Sequence, residues 1–455
     1  MTRVLSRLTG PVTSNLAARI GALGSLTGAS ILVAHIGGPS GVGVFVLLRV
    51  LPWLTGMLLS GGIYGAAPYF LGGERRLEPR FRSTIAAIAL VSGFVGVLAW
   101  LIISPLVHHF FFPRLSLALV ALAAITVFTQ VLESTGKACS QGLPDLPGAN
   151  RVIFLEEFVF VPAFWLYHAA GVTIFPAVVL GLATGDFVTL SSAWFRLYRK
   201  GFFRGAGRPS VPLAKRIISF GFRAQLSSII LLLNGRLDFV IVGAIVGLPS
   251  LGVYAVASRF AELLRLPSLA INYVLYPTFA HQNEHEAVTT ARQWIRKVGW
   301  VPLAMVVPLA LAAHWLLPAL YGAEFSAAVR PAWVLLIGLA GSGVWGIVSA
   351  FLYGVGRPGS NSIALGSGLV MTVLLDVTLI PVFGVMGAAA ASTAAYLTTT
   401  AVLVLFFRRI ASGRAGPVHH GNPQPTGDDG ADPGSSVTQT VPLQRDIDEL
   451  LEVEG

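Results

Sequence analysis

Charge is the first thing this sequence lacks. Only 11% of its 455 residues are Asp, Glu, Lys or Arg, against roughly 25% in a soluble domain. That deficit leaves too few charged side chains to cover a water-facing surface, so a soluble globular enzyme is excluded. Cysteine is almost absent as well. Cys139 stands alone, which excludes an internal disulfide and a cysteine metal cluster. Lysine occurs only at positions 137, 200, 215 and 297. No G-x-x-x-x-G-K-[ST] run is present, so the chain encodes no nucleotide phosphate loop. Long polar stretches are missing before residue 410, which leaves little room for a water-soluble catalytic domain.

Apolar residues are abundant instead. They make up 54% of the chain, and the mean hydropathy is +0.74. Apolar runs near the ~20 residues of a spanning helix recur about twelve times, so the expected fold class is an all-α polytopic membrane protein. The predicted helices cover roughly Pro11–Ile36, a second up to Phe70, Ser83–Val107, Leu115–Leu132, Val152–Ala170 and Ile174–Leu197. Six more follow: Ile217–Val246, Leu251–Ala280, and four ending near Leu320, Tyr353, Val382 and Phe407. Gly37 to Gly41 forms the first turn. The basic MTRVLSRLTG start lacks a small-residue cleavage site and reads as part of an uncleaved first span. The longest internal linker, Arg199 to Lys215, separates an N-terminal lobe (1–208) from a C-terminal lobe (209–412).

The net charge of +10 does not point to nucleic acid, because the basic residues fall on alternate loops rather than in one patch. With the N-terminus inside, the cytoplasmic loops hold Arg75, Arg76, Arg80, Arg82, Lys137, Arg151, the cluster from Arg196 to Arg216, Arg292, Arg296, Lys297, Arg357, Arg408 and Arg409. The outer connections hold little beyond Arg114 and Arg330. Positive-inside counting therefore puts both termini in the cytoplasm. Residues 413–455 form a polar tail rich in Pro and Gly, with the composition of a disordered segment. Its acidic end carries Ile447, Leu450 and Leu451 at helical spacing. That end is either a solvated tail or a docking helix for a cytoplasmic partner.

The chain also repeats itself. A shift of 209 positions lays ILVAHIGGPSGVGVF, from Ile31, on VIVGAIVGLPSLGVY, from Val240. Gly38 meets Gly247, Gly43 meets Gly252 and Phe45 meets Tyr254. The match runs on without a gap through Tyr64 with Tyr273 and Pro68 with Pro277. Both copies begin on the same side, so the two six-helix lobes are related by a pseudo-twofold axis along the membrane normal. Carriers built this way place their substrate site between the repeats.

Three stretches resemble the polysaccharide and oligosaccharide flippases. They are GVYAVASRFAELLRLPSLAINYVLYPTFA from Gly252, FLYGVGRPGSNS from Phe351, and LLDVTLIPVFGVMGAAAASTAAY from Leu374. The wider superfamily contains multidrug exporters and the lipid II flippase. The resemblance covers roughly residues 10–410. It implies a twelve-helix, two-lobed carrier in the bacterial plasma membrane that moves a polyprenyl-pyrophosphate-linked sugar to the outer leaflet. Two departures stand out: Asp376 occupies a position where the family often has Asn, and the two extra helices of the lipid II flippase are missing.

Charges inside the spans are the candidate site. An intramembrane charge costs at least ~2.5–3.5 kcal/mol, so each must face protein or water. Arg49 and Arg259 lie at similar depth in equivalent helices, and Arg259, Glu262 and Arg265 are spaced i, i+3, i+6. Arg236 and Asp238 sit near the midplane, with Arg19 and Arg223 nearer the cytoplasmic face. These arginines read as a cationic cavity for a pyrophosphate, or alternatively as structural pairs, Arg259–Glu262 and Arg236–Asp238, that lock helices together; for Arg19 and Arg223, snorkelling to the interface is a further alternative. Glu133, Glu156, Glu157, Asp186 and Asp376, with Asp238 and Glu262 as charge partners, are candidates for coupling to H+ or Na+, or alternatively interfacial carboxylates near helix ends. Glu156 and Glu157 are adjacent and must point apart. HQNEH from His281 matches a metalloprotease pattern but lies in a short polar loop with no catalytic domain around it, so no metal site is expected. Membrane potential alone is a third means of drive, and no cofactor is implied. The expected partners are a lipid-linked glycan and membrane lipids. An ion-coupled multidrug exporter, a membrane glycan polymerase and a non-transporting assembly protein are the rival readings.

Overall fold

The computed structural model describes residues 2–72, 79–143 and 145–413, and every regular element among them is helical. Tail positions such as Ile447 and Leu450, and loop residues Arg75 and Arg76, lie outside the described residues. Seven helices are long and apolar enough to cross a membrane, and one bent pair makes an eighth. Two of these cannot be single spans. Thr2–Leu59 and Pro358–Ala411 contain 58 and 54 residues. A straight helix of that length would be about 80 Å or more, over twice the hydrocarbon thickness. Each turns back at one glycine: Gly38 at φ 58° and Gly384 at φ 55°. This left-handed backbone is cheap only for glycine.

Counted at those turns, the described residues form twelve helical segments. They are α1 (2–37), α2 (39–71, interrupted at 60–62), α3 (Pro79–Phe111), α4 (Leu117–Gly142), α5 (Leu146–Ala169) and α6 (Ile174–Arg199). The second six are α7 (Val211–Ile245), α8 (248–280), α9 (Glu284–Tyr321), α10 (323–354, bent by 42°), α11 (358–383) and α12 (385–411). The turns at 38, 171, 247, 322 and 384 all lie at one end of the bundle, here the hairpin end. The other, basic end carries the loops rich in arginine. Between the ends, α3 and α9 present unbroken apolar rows outward, Leu98–Ile102–Leu106 and Leu303–Val307–Leu311–Trp315, all exposed. Water would not tolerate such faces, whereas lipid tails solvate them.

Two expectations change. The predicted polar loop after Ala280 is instead helical from Glu284 to Val298. Asn283 caps it by accepting from the Glu286 N–H at 2.9 Å, and its apolar positions Ala287, Val288 and Ala291 are buried. The HQNEH motif thus straddles a helix start, and no group of metal-ligand side chains occurs among the described residues. The long Arg199–Lys215 linker is also shorter than read, because helix resumes at Val211.

The 209-residue repeat is visible as a contact. Gly247, at φ 97°, opens α8 as Gly38 opens α2. A Cβ on Gly43 would strike the Leu248 carbonyl oxygen, and a Cβ on Gly252 would strike that of Pro39. Position 248 is the equivalent of 39, and 252 that of 43. The two hairpins therefore grip each other reciprocally, as a twofold axis between lobes requires. A second clasp joins the lobes nearer the basic end. The break at Ser60–Gly61–Gly62 puts Gly62 backbone against Gly221 on α7. Gln225 donates to the Met57 carbonyl, and Tyr69 stacks on Phe220 at 4.4 Å.

Candidate functional site

The site begins with Phe45 and Arg49, one helical turn apart on α2. The i, i+4 spacing lays the guanidinium beside the ring, 5.5 Å from its centroid. Hairpin packing then brings α8 across, and Arg259 reaches the same ring at 5.7 Å. Two guanidinium groups thus share one aromatic platform between the lobes. Their repulsion is only partly relieved. Arg49 is paired with Glu157 of α5 at 2.5 Å, whereas Nη1 of Arg259 is buried without a partner. A buried, unsatisfied donor on a cation is costly, and an anion would relieve that cost.

Around Arg49 the N-terminal lobe gathers more charge. Glu156 and Glu157 point apart, as adjacent helix positions must: Glu156 pairs with Lys137 at 3.0 Å and Glu157 with Arg49. Glu133 on α4 and Asp186 on α6 are 2% and 6% exposed. Thr129 donates to Asp186 at 3.3 Å, and one oxygen each of Glu133 and Glu157 is buried without a partner. Neither Glu133 nor Asp186 is in an ion pair among the described residues.

The C-terminal lobe corrects the expected pairing. Arg236 pairs with Glu262, at 3.3 Å, not with Asp238, and its guanidinium lies 5.2 Å from the Phe239 ring. Glu262 therefore does not neutralise Arg259. Asp238 instead accepts from Tyr254 at 2.5 Å, Ser392 at 3.2 Å and the Phe239 N–H at 2.8 Å. The even i, i+3, i+6 face of Arg259, Glu262 and Arg265 is also interrupted, because residues Leu263–Arg265 form a 3-10 turn. Arg265 lies over Trp345 at 5.1 Å. Asp376 is fully buried on α11, and neither carboxyl oxygen has a partner. Arg19 is exposed on α1 and bonds to Asn15 one turn below, so it stands apart from the Arg49–Arg259 pair. The side chain of Arg223 lies outside the described residues.

Sequence reasoning missed Phe45 as the shared platform, although its spacing to Arg49 was the available signal. It also missed Asp145, just before α5. Asp145 caps that helix through the Gly148 N–H at 3.2 Å and takes a bidentate fork from Arg196 at 2.7 and 2.8 Å. Lys200 adds a third cationic contact at 2.9 Å. The Arg196 fork, against the opposing effect of burial, holds this carboxyl well below the usual carboxylate range.

The architecture has known counterparts. The chain superposes with a TM-score of 0.72 on the lipid II flippase MurJ in an inward closed conformation, at 14% identity, covering 88% of this chain and 90% of that one. An inward-facing multidrug resistance MATE transporter of the MOP superfamily follows at 0.71, 17% identity and coverage of 88% and 98%. A MOP superfamily transporter from Pyrococcus furiosus, described by the reverse polarity of its binding pocket, matches at 0.61, 17% identity and coverage of 90% and 96%. These likenesses establish the MOP-transporter fold. No curated protein matches the chain by sequence. Residues 33–330, which hold both hairpins and both central arginines, match a family model described as polysaccharide biosynthesis protein. On that match, which spans most of its length, the chain belongs to the polysaccharide biosynthesis protein family.

Proposed function

We propose that this protein is a flippase, a carrier rather than an enzyme. It moves a polyprenyl-pyrophosphate-linked oligosaccharide from the inner to the outer leaflet for cell-envelope polysaccharide synthesis, by alternating access. The observation that carries the reading is the buried, partnerless Arg259 Nη1 beside Arg49, between the lobes. Guanidinium forks match phosphate oxygens bidentately. A pyrophosphate held there leaves its lipid tail in the bilayer and its sugars in the interlobe space. Arg236 and Arg265, each beside an aromatic ring, extend the cationic surface into the C-terminal lobe. The hairpin end is the outer one, by the positive-inside rule, so both termini are cytoplasmic. An inside-negative potential favours export of two negative charges by roughly 4–5 kcal/mol per 100 mV if the arginines stay in place.

The likeness to a multidrug transporter supports a second reading, an ion-coupled exporter, and the buried carboxyls of Glu133 and Asp186 favour it. One substitution separates the two. In the host membrane, Arg259→Ala at unchanged protein level should make a lipid-linked glycan accumulate in the inner leaflet. Undiminished polysaccharide export by that variant would overturn the flippase reading.

A further inference from the structure

Arg49 is the one arginine of the central pair that already has an anion. Its partner, Glu157, is itself only half-served: Oε1 takes the Arg49 guanidinium and Oε2 is buried without a partner. A carboxylate set in this way on a phosphate-class cation resembles the ligand it excludes. Arg259, on the same Phe45 ring, is the half of the site left open.

We propose that Glu157 is a built-in competitor for the substrate pyrophosphate on Arg49, and that its displacement is matched by uptake of a proton into the surrounding carboxyl group cluster. This rests on the flippase reading of the Arg49–Arg259 site. The groups concerned are Arg49 and Tyr64 on α2, Glu133 and Lys137 on α4, Glu156 and Glu157 on α5, Asp186 on α6 and Arg259 on α8. Within the N-terminal lobe two cations, Arg49 and Lys137, face four carboxyls. Each cation is matched by one carboxylate, and Glu133 and Asp186 are left buried without a cation. A buried carboxylate with no cation beside it is expensive. When pyrophosphate takes Arg49, Glu157 becomes a third carboxyl in that position. The incoming anion adds negative charge beside Glu156, so the cluster as a whole takes up one proton. The proton comes from hydronium in the cytoplasmic water: one of its O–H bonds breaks as a carboxyl O–H bond forms, and no other bond changes. Binding then tightens as pH falls, the opposite sign from a carrier in which proton and substrate exclude each other.

Calorimetric titration of the purified, membrane-embedded full-length protein with geranylgeranyl pyrophosphate, in two buffers of different ionisation heat, tests this. The probe's own titration is common to all variants and cancels in their differences. Wild type should take up about one proton more per probe bound than Glu157→Gln. Glu157→Gln should bind about tenfold tighter, since one charge-assisted bond no longer competes. Glu157→Asp, which keeps the charge but shortens the reach, should fall between the two and carries the test if the Gln variant does not fold. Equal or weaker binding by both variants, or equal proton uptake, overturns the inference. Arg259→Ala tells this apart from a failure of the underlying reading: if that variant binds the probe like wild type, the arginine pair is not the pyrophosphate site at all.

Discussion

Asp145 shows how much one residue at the basic end contributes. It is 2% exposed and meets Arg196, Lys200 and a helix N-terminus at once. Its carboxyl is held low by the Arg196 fork, so its stabilising contribution is complete above the unfolded value near ~3.9 and is lost as pH falls through the lower folded value. Asp145→Asn should therefore destabilise the protein by about 2 kcal/mol at neutral pH. Detergent melting curves check this: the gap between variant and wild type should persist down to about pH 4 and close only below it. A gap that is constant into stronger acid would mean that the hydrogen bonds, not the charge, supply the effect. At this same scale the sequence was most informative about which charges lie within the helices and least about what they touch. Arg49, Arg236, Arg259 and Glu262 stood out as charges in apolar helices. The exchange of partners, Glu157 for Arg49 and Glu262 for Arg236, depends on helix rotation and on the 3-10 turn at Leu263–Arg265. Periodicity along one helix does not encode either.

At the scale of elements, two glycine clasps hold the lobes together, and alternating access requires at least one of them to part. On the orientation proposed above, the clasp of Gly43 on Leu248 and Gly252 on Pro39 is the outer one and that of Gly62 on Gly221 the inner one; both are backbone against backbone. A single methyl group is enough to wedge either. Gly252→Ala should open the hairpin end and raise thiol labelling, from outside, of a cysteine placed at Ser30. Gly221→Ala should act at the opposite end and leave that labelling low. The buried native Cys139 gives little background. If both variants change labelling in the same direction, the clasps do not work as opposed gates. The outer clasp was legible in advance, because the 209-residue repeat predicted that Gly43 and Gly252 play the same part. The inner clasp was not. Gly62 and Gly221 are not equivalent in the repeat, and nothing local announces that α2 breaks at Ser60 to let α7 approach.

At the scale of the whole molecule, an all-α bundle of apolar helices followed from hydropathy, since lipid permits few alternatives to closed helical bundles. The helix at Glu284–Val298 was hidden, because an amphipathic helix that buries only Ala287, Val288 and Ala291 has the composition of a polar loop. On the flippase reading the bundle alone is the carrier, so deletion of the residues after Arg414 should leave flux within about twofold of wild type, a small change beside the ~1.4 kcal/mol of a tenfold effect. Loss of export with normal membrane insertion would instead support an assembly role through the tail. The central claim is that the bundle moves a pyrophosphate-linked glycan past Arg49 and Arg259. Its most direct measurement is flux of a polyprenyl-pyrophosphate oligosaccharide across vesicles reconstituted with the purified protein. The account predicts transfer by wild type and none by Arg259→Ala. No transfer by wild type, or equal transfer by the variant, would contradict it.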